Sequence, residues 1–544
     1  MRKTTILLTL FVLMSIYMPF AAGQQEEVRW HEPIPFLGPQ PTLVLLVDFS
    51  DVKMRISTSQ AAQLVKIVDD FVRSSSYGKT WLEYYIHPKV ITLPKQMSYY
   101  GGPSSGAQRG DDKNRILEYH LTTIKYAKER ERIDLSRFKH VILIHAGKDE
   151  AVGGTANDIW SHCNCVAPRI LYKLIEQFGF DAVEQDLRRQ NYDWVVELFM
   201  HRGKDGKGNL LAGIMTVAEE DYPAVLAHEF THSMWISDHY VYAEDGYSAG
   251  SEVGVWTNMD AGPFLNPPVD IDGWSKYLIG WIEVIEVQQS GEYVIHTLDK
   301  PDEPHALLIK INQKEYYFIH ARRPVKNDAA LPGPGILIFR VNEYVDRNIE
   351  DKEYFIRLMD ANPATPAVCA NLRRQLIRLC EGVDAPFIQP TFRNTWRHNL
   401  PLPNPLSLTF ENYEFTTEEG FVIRVTRFDT AAGIARIFVD LGGKPSETTV
   451  DDDDQPTETT RTVTRTVTGT VAQTVYTTQT IVGERTQTIV VTVTVRPPPP
   501  ATPIEEYISL VIVLAALLVA FGLIVSRRRA VPGYPPPPPP PPQY

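Results

Sequence analysis

Two histidines four residues apart, His228 and His232, flank Glu229 in the run His228-Glu229-Phe230-Thr231-His232. In a strand these histidines would share a face but stand about 13 Å apart, too far to share an ion. In a helix they lie one turn apart on one face, with both imidazoles in reach of a single ion. The spacing therefore predicts a helix here. Glu229 falls beside that face, where a carboxylate can hold a metal-bound water and take its proton. The helix should open near Asp221-Tyr222-Pro223, because proline suits a first turn and acids favour it.

Two histidines leave a tetrahedral zinc site short of a protein ligand. Asp238 follows His232 at the interval expected when a helix ends sharply and the chain folds back. Glu252 is the alternative third ligand, at a distance suited to a carboxylate from a second element. Tyr240 and His239, beside Asp238, are candidates for supporting an oxyanion. Met259, in Trp256-Thr257-Asn258-Met259-Asp260, is placed to form a methionine turn beneath the metal. His162-Cys163-Asn164-Cys165 resembles half of a second metal site without a matching half elsewhere. Cys369 and Cys380 are a candidate disulfide in a chain with too few cysteines to be a disulfide scaffold.

The termini predict where the protein works. Residues 1–23 read as a signal peptide: Arg2 and Lys3, then an apolar run, then Ala21-Ala22-Gly23. Residues 24–41 form an N-terminal extension. Residues 507–526 are apolar for long enough to cross a bilayer, and Arg527-Arg528-Arg529 marks their far side as cytoplasmic. The expected location is a cell membrane, crossed once, with the large N-terminal part outside. The tail, 527–544, ends in a proline run that forms stiff polyproline II, either a ligand for a partner or a spacer. Residues 444–503, rich in threonine, valine and proline, lack the bulky apolar content of a core and read as a stalk. A net charge of −12 with no basic stripe argues against nucleic-acid binding.

The remaining residues, 42–443, predict an α+β fold. Thr42-Leu43-Val44-Leu45-Leu46-Val47 and His140-Val141-Ile142-Leu143-Ile144-His145 read as buried strands. Between them, Ala61, Leu64, Val65, Val68, Phe71 and Val72 recur at helical spacing. Strands alternate with helices through 42–285, the expected zinc peptidase domain. From 286 to 443 short apolar runs separated by turns predict a β-rich, sandwich-like domain.

Read together, these motifs resemble the immune inhibitor A family of secreted metallopeptidases. The resemblance rests on His228-Glu229-Phe230-Thr231-His232 with Asp238 and Tyr240, on Val47-Asp48-Phe49, Ser76-Tyr77-Gly78, Tyr99-Tyr100-Gly101, His145-Ala146-Gly147 and Ile159-Trp160-Ser161-His162. Trp256-Thr257-Asn258-Met259 and Asp272-Gly273-Trp274 complete the series. It implies a zincin-type fold with zinc held by His228, His232 and Asp238. It also implies Glu229 as general base and protein or peptide substrates outside the cell. One departure matters: the family's glycine three residues past the second histidine is Trp235 here. A glycine there allows the sharp turn toward the third ligand, so a tryptophan requires another backbone route or another ligand. Calcium suits a secreted peptidase, but no D-x-D-x-D-G loop occurs. The alternative is a catalytically inactive surface-binding or cell-envelope protein on the same scaffold.

Overall fold

The computed structural model describes residues 29–442 except 105–106, 108–109, 244–247, 266, 362–381, 383–384, 389–394, 398–406 and 410–411, together with 479–482 and 485–488. The expected signal peptide, most of the expected stalk, the apolar run 507–526, the proline-rich tail, Cys369 and Cys380 all lie outside the described residues. Among the described residues no helix is long and apolar enough to cross a membrane.

Strand β1 (Gly38–Asp48) is buried continuously from Thr42 to Asp48. Such a run must be covered on both faces, as in the middle of a parallel sheet. Helix α1 (Thr58–Ser75) opens on a capping box of Ser57 and Gln60 and buries Ala61, Val65, Val68 and Val72. It stops where Tyr77 and Gly78 take φ of 56° and 77°. Then come β2 (Thr80–Ile86), α2 (Lys113–Glu129), β3 (His140–His145), β4 (His162–Asn164), α3 (Val166–Phe178), β5 (Gly213–Ala218) and α4 (Pro223–Ser233).

The sheet order is β2-β1-β3-β5-β4, with the short Ile91–Thr92 strand also against β1. Neighbours run parallel except β4, which is antiparallel to β5 at the edge. Every residue of β3 and β5 is buried. Helix α4 packs on β5 beside β4. Gly213 allows this close approach, since a Cβ there would stand 2.8 Å from that of Ser233. Strand β6 (Val241–Tyr242) and α5 (Gly273–Leu278) follow, the latter capped by Asp272.

The rest is strand: β7 (Val284–Glu286), β8 (Gly291–His296), β9 (Ala306–Lys310), β10 (Glu315–Arg322), β11 (Gly335–Asn342), β12 (Ile356–Leu358), β13 (Glu414–Thr416), β14 (Val422–Asp429) and β15 (Ile434–Asp440). They form two sheets, β7-β9-β10-β11-β12 and β8-β15-β14-β13. Alternate residues of β15, Ala435, Ile437 and Val439, are buried, as expected for one face of a sandwich. The two sheets meet through pairs such as Tyr317 and Phe415, with ring centroids 5.9 Å apart. The fold is α+β: a mixed, helix-covered sheet carrying the H-E-x-x-H helix, followed by a β-rich part.

One apolar core runs through both parts, from Phe36 and Phe230 to Phe318 and Val439. A buried ionic group joins them as well. Arg322 on β10, fully buried, pairs with Asp328 and donates to the Trp256 carbonyl at 2.7 Å. Lys276 on α5, equally buried, donates to Asp270 at 2.7 Å. Residues 443–507 make a separate unit, of which an antiparallel pair, Gln479–Val482 with Arg485–Thr488, is described.

Candidate metal centre

Helix α4 begins as expected, with Pro223 at its first turn. His228 and His232 project from one face, their Nε2 atoms 3.1 Å apart. The Nδ1 of His228 lies 2.7 Å from the Asn258 carbonyl, and that of His232 lies 2.6 Å from the Ile236 carbonyl. A carbonyl only accepts, so each Nδ1 carries a proton and Nε2 is the nitrogen each imidazole turns toward Asp238 and an incoming ion. The fold thus sets both tautomers for binding an electrophile at Nε2.

Asp238 completes the group. Its Oδ1 stands 3.2 Å from His228 Nε2 and 3.1 Å from His232 Nε2. Zinc bonds of about 2.0–2.1 Å in a tetrahedral site place ligand atoms about 3.3 Å apart. The triangle has that size, and Asp238 Oδ1 is a buried acceptor with no hydrogen bond. Two imidazoles and a carboxylate are an ordinary zinc donor set, so these residues fit the ion. Among the described residues this is the group of three ligand-type side chains close enough to hold a metal. Glu252 is not in it; its backbone N–H is held by Asp260 at 3.0 Å.

Trp235 does not need another route. It takes φ of 67°, the left-handed conformation expected of a glycine there, and Trp235 N–H donates to the His232 carbonyl at 2.8 Å. The conformation costs a non-glycine residue roughly 1–2 kcal/mol. The indole offsets this: it packs edge-on to Phe36 at 4.9 Å, against Tyr172 at 5.1 Å, and donates to the Ala212 carbonyl at 2.9 Å.

Glu229 is nearly buried at 5% exposure, and its Oε2 makes no hydrogen bond. Burial pushes its pKa up to about 7; the two imidazoles oppose this, while Asp238 and Asp149 add to it. Burial also works against a charged Asp238, but His232 and His228 hold its carboxyl well below the usual range. Burial likewise opposes a charged His232, and Asp238 overrides it, lifting the pKa to about 10.

The neighbouring residues divide. Met259 is fully buried in a turn whose Asn258 carbonyl holds His228, and its own carbonyl accepts from His239 N–H at 2.8 Å. His239 itself is turned into the core: it pairs with Asp272 at 3.1 Å and reaches Ser275 at 3.2 Å. It takes no part in the triangle. Tyr240 stays near the triangle, its hydroxyl oxygen 3.3 Å from that of Tyr242. Burial, with Asp238 next in weight, holds the Tyr240 phenol proton on well above its usual pKa. His162 faces away from the centre, toward the Trp160 carbonyl at 2.6 Å and His120 at 3.3 Å, and Cys163 and Cys165 are free thiols.

Three features here carry almost no local sequence signal. Tyr242 donates from its hydroxyl to Asp238 Oδ2. Asp149 and Asp221 meet side chain to side chain, and both are raised, first by burial. Asn348 reaches the centre from far along the chain, donating to the His239 carbonyl at 3.0 Å. An aspartate before a helix, as Asp221 is before α4, was the one visible hint.

No family model matches the chain, and no curated protein does. Among solved structures it is similar to a catalytically inactive OgpA from Akkermansia muciniphila in complex with an O-glycopeptide, glycodrosocin. The identity is 9%, covering 59% of this chain and 87% of that one, with a TM-score of 0.24. That likeness is too slight to carry an argument about activity. The resemblance to the immune inhibitor A family rests on the sequence motifs.

Proposed function

We propose that the chain is a zinc-dependent endopeptidase of immune inhibitor A type, exported and held at the cell surface by its C-terminal apolar run, that cleaves extracellular proteins or peptides. One observation carries the reading: two imidazoles, locked as Nδ1–H tautomers, and a carboxylate converge at zinc-ligand spacing with Glu229 on the same helix.

A zinc ion held by His228, His232 and Asp238 would supply Lewis acidity and lower the pKa of a bound water. The chain's own residues do the rest. Glu229, largely screened from solvent, takes a proton at its carboxylate and returns it to the leaving amine. The Asn258 and Ile236 carbonyls keep the histidines from rotating. Tyr240 keeps its proton and so is a hydrogen-bond donor beside Asp238. Strand β4, at the sheet edge next to α4, offers backbone groups to an extended peptide.

The test is metal analysis of the purified protein, with digestion of a peptide library by the wild type and Glu229→Ala. Bound zinc with cleavage lost in Glu229→Ala supports the proposal. Bound zinc without Glu229-dependent cleavage leaves the inactive binding scaffold as the better reading.

A further inference from the structure

We infer that Tyr242 is the positioning residue of the Asp238 ligand, and that the segment around Asn348, from the β-rich part, sets Tyr242. The inference rests on the metal reading above and goes beyond it, because neither residue belongs to the H-E-x-x-H pattern.

The geometry is a chain of contacts running inward. Asp238 uses its two oxygens differently: Oδ1 faces both histidines, while Oδ2 accepts from the Tyr242 hydroxyl. A carboxylate with one oxygen tied cannot rotate to present both to an ion, so the bond selects one-oxygen binding through Oδ1. Tyr242 in turn has little freedom. Its ring packs against that of Tyr240 at 5.0 Å, and the Arg347 guanidinium lies over it at 5.8 Å. Its backbone is paired on both sides: Tyr242 N–H donates to the Asn348 carbonyl at 2.9 Å, and Glu350 N–H donates to the Tyr242 carbonyl at 2.8 Å.

Asn348 fixes the same loop a second time. Its amide donates to the His239 carbonyl, one residue past the ligand, at 3.0 Å. Its side-chain oxygen accepts from Phe355 N–H at 3.0 Å and Ile356 N–H at 3.3 Å, and the residue is fully buried. The loop carrying Asp238 is thereby clamped to β12 as well as to its own helix. This explains how a short loop after α4 holds a ligand at a defined spot.

The experiment uses the full chain and Zn2+ as the probe. Zinc affinity is measured by competition with a chromophoric chelator for the wild type, Tyr242→Phe and Asn348→Ala. The visible spectrum of the Co2+-loaded proteins reports the ligand geometry. Removing the hydroxyl in Tyr242→Phe is expected to weaken zinc binding about 10–100-fold and to alter the Co2+ spectrum. The metal-free melting temperature should change little. Asn348→Ala is expected to weaken zinc in the same direction, and it serves if Tyr242→Phe does not fold. Equal zinc affinity and an unchanged Co2+ spectrum in the variants would overturn the role of Tyr242 and leave the metal centre standing. A wild type that binds no zinc would overturn both.

Discussion

The indole N–H of Trp235 donates to the carbonyl oxygen of Ala212 at 2.9 Å, while its own backbone stands at φ of 67°. The side chain that makes this turn unfavourable also ties it to the residue leading into β5. Trp235→Gly should relieve roughly 1–2 kcal/mol of backbone strain. It also removes a buried indole, and such truncations cost about 3–5 kcal/mol. The second effect is larger, so the variant is expected to be less stable by about 1–4 kcal/mol while still binding zinc. Denaturant midpoints check the sign; a stabilised variant would refute the trade.

Glu229→Gln keeps the shape of the side chain and removes its capacity to accept a proton. Cleavage should fall by at least about 10²–10⁴-fold. Zinc content should stay at the wild-type level, because Glu229 is not in the ligand group. Both quantities are measured on one preparation, and loss of zinc together with activity would remove the assigned role.

Zinc that binds the folded form alone must stabilise it. At about a hundred times the dissociation constant the gain is ~2.7 kcal/mol. A chelator should therefore lower the melting temperature of the wild type. It should leave that of Asp238→Ala nearly unchanged, since that variant lacks one corner of the triangle. An equal chelator effect in both would point to a metal elsewhere.

Asp111 predicts a pH effect on folding. Burial, reinforced by Glu150 and Asp149, raises its pKa from 3.8 to about 8, and Asp221 rises to about 7 by burial and Asp149. Between the ordinary value and the raised one, the folded protein holds a proton that the unfolded chain has released. Stability from this source is fully present below pH 3.8 and is lost as pH climbs through about 8. Asp111→Asn should therefore shrink the fall in unfolding free energy between mildly acidic and mildly alkaline buffer. A variant that loses as much stability as the wild type over that range would contradict the assignment.

What the sequence made legible was local. His228 and His232 declare a helix because their spacing has one compact solution, and Pro223 marks where it starts. The run from His140 to His145 is a strand from end to end, because apolar residues without helical interruption have nowhere else to go. Asp238 was readable from its interval after His232, although the conformation of Trp235 was not. Propensity disfavours a left-handed tryptophan, and only the packing of Phe36 and Tyr172 reverses that. His239 looked like an active-site residue by proximity. Its direction was decided by Asp272, a partner on another element. Tyr242 and Asn348 were invisible for the same reason: their meaning lies in contacts between distant parts of the chain.

The clamp from Asn348 to the loop of Asp238 also fixes an order of events. Asn348 and His239 are 109 residues apart in the chain, and the histidines are made first. At about 5–20 residues per second, the clamp reaches the ribosome's exit roughly 5–20 s after the loop it holds. During that interval the loop of Asp238 lacks the anchor that Asn348 supplies. The loop of Asp238 thus gains its second anchor only once the β-rich part has arrived, and the late strands finish what the early helix begins.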